Sequence, residues 1–410
     1  MHLLLTLVLS AALFTVASFI AVYSYGRFAR RARGEPSAAL PPAQDGTLLD
    51  RGVSALVNEA GGASGLALLS ENVDAFAARA LAARSAGRSL DLMYYIWHHD
   101  LTGQLLAHEM LAAADRGVRV RLLLDDINTR GRDPFYLALD SHPDIEVRLF
   151  NPSLAREGKL RRGLEILLRA FAVNRRMHNK AWIADGRIAI VGGRNIGDEY
   201  FDAAEAESFR DLDLVLLGPA VGEAAAVFDR FWNSAQTIPV RAVARPRRRR
   251  RARLDALRVR LSDLAVGTAA RPYLERVRQR LSVVALFEDG IRIHWTGAAQ
   301  VISDPPEKAL ARGAGNWLMR EIFPAIGAAT RTVEITSPYF VPGAEGTRAL
   351  VALAGKGVDV AVLTNSLAAT DVAAVHGGYA PWRRALLRGG VRLYELRPDA
   401  DRQRISLFGS

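Results

Sequence analysis

The chain has 410 residues, half of them hydrophobic and 24% charged, which is enough for two or three domains and excludes a peptide, a small disulfide scaffold and a disordered tail. It contains no cysteine, so disulfides, thiolate nucleophiles and Cys-based zinc sites are out. A formal net charge of +11 keeps nucleic acid, anionic lipid and phosphorylated substrates as candidate partners.

Residues 3–25 carry no charge and are mostly Leu, Val, Ala, Phe and Ile, a run long enough to cross a bilayer core. Arg27, Arg30, Arg31 and Arg33 follow it, and only His2 precedes it. A cleaved signal peptide has the opposite order and is the competing reading. The positive-inside rule predicts one anchor helix over 1–26, with the body on the cytoplasmic side. Residues 27–50, basic and containing Pro36, Pro41 and Pro42, read as a flexible tether.

The body repeats itself. Residues 89–124 read as strand (SLDLMYYIW), helix, strand (VRVRLLLDD), and 332–365 follow the same plan from TVEITSPYFV to VDVAVLTNS. Gly117 and Gly357 suit the left-handed stop after each helix. Each unit continues to a further strand, IEVRLF at 145–150 and VRLYE at 391–395. Strands alternating with helices predict an α/β fold of two similar lobes, each a mainly parallel sheet flanked by helices. The expected divisions are a first lobe over 51–237, an interlobe segment over 238–285 and a second lobe over 286–410. The interlobe segment holds the run Arg245–Arg253, seven arginines in nine residues, without which the net charge is +4. Such a run is a solvated, mobile block or an electrostatic foot on an anionic membrane surface.

One motif carries chemistry. In Met-His-Asn-Lys-Ala-Trp-Ile-Ala-Asp-Gly, His178 and Lys180 are two residues apart and leave the same face of a strand. Asp185-Gly186 signals a tight hairpin, with RIAIV returning. Gly192, Gly193 and Asn195 follow in a loop able to bring N–H groups near an anion. An imidazole, an ammonium and a glycine turn with an amide suit phosphoryl chemistry: His178 attacks phosphorus or passes a proton, while Lys180 and Asn195 neutralise oxygens. Asp211 and Asp213, at the start of the next apolar strand, are candidates to hold the other ring nitrogen of His178. Asp125 and Asp126 end the LLLDD strand, where ligand-facing groups are common. His108-Glu109 lacks a second histidine at 112, and no Gly-x4-Gly-Lys-Ser/Thr loop exists, so zincin and P-loop chemistry are excluded. His98-His99 follows a strand, as a solvated turn or an active-site loop.

Here the sequence resembles the phospholipase D superfamily, and within it the bacterial cardiolipin synthases of the C-type branch. The likeness covers roughly residues 65–410 and includes YYIWHHDLTG at 94–103, ADRGVRVRLLLDD at 114–126 and GGRNIGDEYF at 192–201. It implies a two-lobed phospholipase D fold, a phosphatidyl group carried on histidine, Lys180 and Asn195 on the phosphate, Asp185 in a supporting role among the catalytic trio, and no metal or cofactor. It favours Asp211 as the orienting carboxylate. It implies phospholipid substrates, phosphatidylglycerol with phosphatidylethanolamine as a further donor, a bacterial inner-membrane location and no nucleic-acid partner; any accessory protein is unknown.

There is one departure. Such families use two His-x-Lys motifs, one histidine attacking and the other protonating the leaving oxygen, and this chain has one. The expectation is a second lobe that stops before its motif, so that the 410-residue chain is inactive alone. Which histidine attacks stays open. So do transfer against hydrolysis, a nucleic-acid phosphodiesterase, and an inactive membrane-bound scaffold.

Overall fold

The computed structural model describes residues 2–43, 46–156, 158–169, 175–204, 208–244, 250–278, 280, 282–288, 290–310, 317–370 and 372–397. Two compact units divide the chain, Met1–Ala314 and Gly315–Ser410.

The first unit opens with α1 (His2–Arg31) and α2 (Leu48–Glu59). Thr47 caps α2 through a reciprocal box with Asp50. Then come β1 (Ser64–Leu69), α3 (Asn72–Ser85), β2 (Ser89–Tyr94), α4 (Leu101–Asp115) and β3 (Arg119–Asp125). After α5 (Asp133–Leu139), β4 (Ile145–Phe150) and α6 (Lys159–Leu168), a hairpin of β5 (Ala181–Ala184) and β6 (Ile188–Gly192) precedes β7 (Asp213–Leu217). A helix over Pro219–Trp232, β8 (Thr237–Pro239), a helix over Arg250–Val266 and β9 (Ile293–Thr296) complete it.

These strands form one sheet in the order β8-β4-β3-β2-β5-β6-β7-β1-β9. Only β2, β3 and β4 run parallel, and every other pairing is antiparallel, so the sheet is mixed rather than mainly parallel. The reason is local: β2–β4 are joined by helical crossovers, whereas β5 and β6 are joined by the Asp185-Gly186 turn. Both faces are covered. Leu92, Tyr94, Leu122 and Trp182 pack under α3, α4 and the 250–266 helix. Met93, Leu123 and Ile183 pack under the 219–232 helix with Phe228. That double burial explains the near-continuous apolar strands.

The second unit has β10 (Thr332–Thr336), β11 (Asp359–Asn365) and β12 (Arg392–Leu396) in parallel, with a helix over Gly343–Gly355 between the first two. Val333, Val360 and Val362 join Leu350 and Leu353 in its own core. Its strand–helix–strand plan matches β2-α4-β3, as the repeat predicts.

Two boundaries differ from the sequence reading. The 238–285 segment is part of the first unit: Leu254, Leu257 and Leu261 are buried in its core, and Arg258 pairs with Asp115 at 2.5 Å. β9, expected in the second lobe, pairs with β1 at Ser64↔Thr296 to Ala67↔Ile293. An amphipathic helix and an edge strand look alike in sequence whichever sheet they join. Of the arginine run, residues 245–249 lie outside the described residues.

The tether is a strap. Ser37 N–H donates to Asn233 Oδ1 at 3.0 Å, and Ala39 N–H donates to Asp229 Oδ2 at 2.8 Å. Trp232 Nε1 donates to Ser37 Oγ, Arg121 to Ser37 O and Arg148 to Glu35 O. Extended, proline-containing backbone leaves its N–H and C=O groups unpaired, and side chains of the body take them.

Asp185 sits at φ 53 in the β5–β6 turn and is fully buried. Its carboxylate accepts the N–H groups of Gly87, Arg88 and Ser89 at 2.8–2.9 Å, stapling the hairpin to the start of β2. Asp185→Ala leaves three donors without an acceptor, and the expected loss is about 3 kcal/mol or more of stability, read by denaturant unfolding.

Candidate active site

Met177 is buried ahead of β5, and the chain running into that strand sets His178 and Lys180 at its mouth. Asp125, at the end of β3, accepts the Met177 N–H at 2.9 Å and pairs with Arg176 at 3.3 Å. Burial raises the Asp125 carboxyl to about 6, against the pull of Arg176 and of the N–H groups of Ile127 and Met177. Asp125 therefore fixes the backbone beside the histidine.

The His178 ring stacks on Tyr95, with centroids 4.1 Å apart and planes at 22°. Lys180 Nζ donates to His178 O at 2.7 Å and lies 5.5 Å from the same tyrosine ring. His178 is exposed to solvent. The protein around it, then the charges of Lys180, Arg176 and Lys308, push its pKa down to about 4. Burial pushes Lys180 down to about 8, opposed by Asp211 and Asp213. The ring is neutral at pH 7, and the ammonium beside it stays mostly protonated.

Of the expected residues, His178, Lys180, Asp211 and Asp213 come together, but neither aspartate bonds to the His178 ring. Asp211 accepts the N–H of its own neighbour Leu212 at 2.7 Å, and the cations that act on it are Arg194 and then Lys180. Burial, more than the neighbouring Asp213, raises its pKa. Asp213 is buried between Arg79 (2.9 Å) and Arg194 (3.4 Å). No carboxylate bonds to the His178 ring among the described residues.

The glycine loop also differs. Gly193 N–H donates to Leu212 O at 3.1 Å, so it is not turned to an anion. A Cβ on Gly192 would lie 2.2 Å from Asp213 Oδ1, and one on Gly193 would lie 2.1 Å from Asp211 Oδ1. The two glycines make room for two carboxylates. Asn195 is buried, its Oδ1 accepting Ile96 N–H at 3.0 Å and its Nδ2 donating to Tyr200 at 2.9 Å. It pins the loop to the residues after β2.

Sequence reasoning missed Tyr95, Arg176 and Lys308. The doublet Tyr94-Tyr95 held a signal: on a strand end one ring enters the core and the next faces the site. Nothing marked Lys308, which pairs with Asp304 and whose charge is felt at the histidine from 130 residues downstream. His98 lies 3.1 Å from Glu199 and 3.9 Å from Asp100, which is the cation-ready grouping of His and carboxylates found among the described residues. Its carboxylates are engaged, Asp100 capping α4 through Gly103 N–H and accepting Asp198 N–H.

Residues 82–232 and 322–406 match the family described as "Cardiolipin synthase, PLD-like domain". Cardiolipin synthase C of Escherichia coli (strain K12) is 42% identical over 348 residues, 83% of this chain and 71% of that protein. The chain belongs to the cardiolipin synthase family of phospholipase D-like phosphatidyltransferases.

A cardiolipin synthase of Geobacillus thermodenitrificans is 27% identical over 81% of this chain, and the chain spans 55% of its length. Phosphatidylserine synthase of Haemophilus influenzae Rd KW20 superposes with a TM-score of 0.51 at 12% identity, covering 85% of this chain and 78% of that one, which shows a shared fold. The cardiolipin synthase likeness and α1, whose Leu4–Arg31 segment holds an 18-residue window of mean hydropathy 2.3, make this a membrane-anchored member.

Two outcomes test the site. Removing the Lys180 charge makes protonation of His178 easier, so Lys180→Met raises the imidazole pKa from about 4 toward 6.5, measured by NMR titration of the ring. Gly193→Ala forces Asp211 aside and destabilises the fold, whereas Gly193→Ala with Asp211→Ala costs less than the sum, measured as a double-mutant cycle by thermal unfolding.

Proposed function

We propose that this chain carries a phosphatidyl-transfer centre that makes cardiolipin from two phospholipids, with His178 as the nucleophile. The reading rests on one observation: an exposed imidazole stacked on Tyr95, with the Lys180 ammonium bonded to the His178 carbonyl beside it, in a cardiolipin synthase family chain. A neutral ring nitrogen has the lone pair needed to attack phosphorus at pH 7 without a separate base.

Attack on a phospholipid phosphodiester forms an N–P bond and breaks the P–O bond to the headgroup oxygen, which takes a proton from water, or from a second histidine where the longer frame supplies one, and leaves as the alcohol. A hydroxyl of phosphatidylglycerol then attacks the phosphohistidine, gives up its proton and frees the imidazole as cardiolipin forms. With phosphatidylglycerol as donor the released alcohol is glycerol, and with phosphatidylethanolamine it is ethanolamine. Lys180 and Lys308 supply positive charge where oxygen charge builds. Asp211 faces Lys180 and keeps it protonated. Asp185, Asp125 and Asn195 act by holding the backbone, the first from the hairpin turn and the others from either side of the motif. The arginines in the last turns of α1 and just beyond it favour a body on the cytoplasmic side, and the arginine run at 245–253 suits an anionic surface.

The test supplies labelled phosphatidylglycerol and phosphatidylethanolamine to membranes holding the longest natural reading frame, the 410-residue chain, or His178→Ala in either. Cardiolipin from the longest frame, reduced roughly a thousandfold or more by His178→Ala, is the expected result. Phosphatidic acid alone means that water takes the phosphatidyl group and the enzyme is a hydrolase. Neither lipid product from either chain overturns the reading.

A further inference from the structure

A surface helix of a globular protein turns its apolar stripe inward and its polar face out. α6 does the reverse. Leu160, Leu164 and Leu167, spaced i, i+4, i+7, share one stripe and are 91%, 57% and 56% exposed. The inward group is Glu165, which accepts Ser153 Oγ at 2.7 Å and the N–H groups of Leu154 and Ala155 at 3.1 and 2.8 Å, and which pairs with Arg169. The helix is thus fastened to the body by its polar side and presents leucine outward.

Its neighbour says what covers the stripe. α6 packs against α1, and the Arg169 guanidinium lies 3.4 Å from the centre of the Tyr25 ring, inside the apolar span Leu4–Arg31. The stripe therefore adjoins a helix fit for a bilayer. The sequence of α6 holds Lys159, Arg161 and Arg162 against the single acid Glu165, the balance of a helix that meets anionic headgroups.

We propose that α6 lies in the plane of the membrane–water interface, its leucines about 5–10 Å into the lipid, on a bilayer containing anionic phospholipid. Arg169, at the end of α6, donates to Asn151 Oδ1 at 3.3 Å, and Asn151 Nδ2 donates to Arg175 O at 3.1 Å. One asparagine thus holds both the helix and the approach to His178, so α6 sets the height of the histidine over the lipid surface. The inference needs α1 in a membrane and does not depend on the transferase reading.

Because the chain has no cysteine, Leu160→Cys, Leu164→Cys and Leu167→Cys each take a single environment-sensitive fluorophore, with Val266→Cys, 82% exposed, as the reference. The full chain is reconstituted in vesicles of phosphatidylcholine and phosphatidylglycerol. Labels at 160, 164 and 167 are expected to be shielded from aqueous iodide and quenched severalfold more than the reference by nitroxide-bearing acyl chains. Iodide access equal to that at 266 overturns the proposal. So does shielding without nitroxide quenching, which means that protein covers the stripe. Leu160→Ser, Leu164→Ser and Leu167→Ser combined, carrying the label at Arg161→Cys, are expected to lose the nitroxide quenching with an unchanged unfolding temperature. A marked fall in that temperature shows the leucines to be core, and the proposal fails.

Discussion

Asp213 is the group on which the site depends. Its carboxylate is taken from water and set between Arg79 and Arg194, both buried. Burying such charges is tolerable only because each has several partners: Arg79 also reaches Tyr94 and Ala75, and Arg194 reaches Leu69, Ser70 and Asn72. The cluster joins α3, β2, β7 and the glycine loop into one rigid piece. It also places a negative charge under Lys180, so the ammonium beside the histidine is stabilised from below while burial works against it.

That arrangement divides labour within the motif. Two residues face outward with the chemistry, and the rest hold backbone. Asp185 takes three N–H groups, Asp125 takes one beside the histidine, and Asn195 uses both ends of its amide on the loop. Carboxylates surround the site on its structural side, while Lys180, Arg176 and Lys308 supply positive charge to the imidazole. An approaching phosphodiester meets cations first, and the acids are already engaged or buried behind them.

Much of this was legible in the chain. The period-two strands, the repeated strand–helix–strand unit and the Asp-Gly hairpin rest on local chemistry, and the family likeness was carried by the spacing from His178 to Asn195. The roles of the loop were not legible. A glycine reads the same whether its missing Cβ admits an anion or a neighbour's carboxylate, and Gly192 and Gly193 admit Asp213 and Asp211. Proline and small residues at 34–43 read as a linker, because the partners that fasten them, Asp229 and Asn233, lie nearly two hundred residues away. Likewise nothing in DPPEKAL distinguishes Lys308 from any other solvated lysine until the fold brings its charge within range of the histidine.

The strap has a mechanical meaning. A body hung from its membrane helix by a free linker swings, and it samples any lipid within its radius at any angle. Here the residues after α1 are bonded along the body almost from the helix end, so a body anchored through α1 has little free lever. Lipid would then reach the mouth by lateral diffusion, and turnover would follow its two-dimensional density in the membrane rather than its bulk concentration.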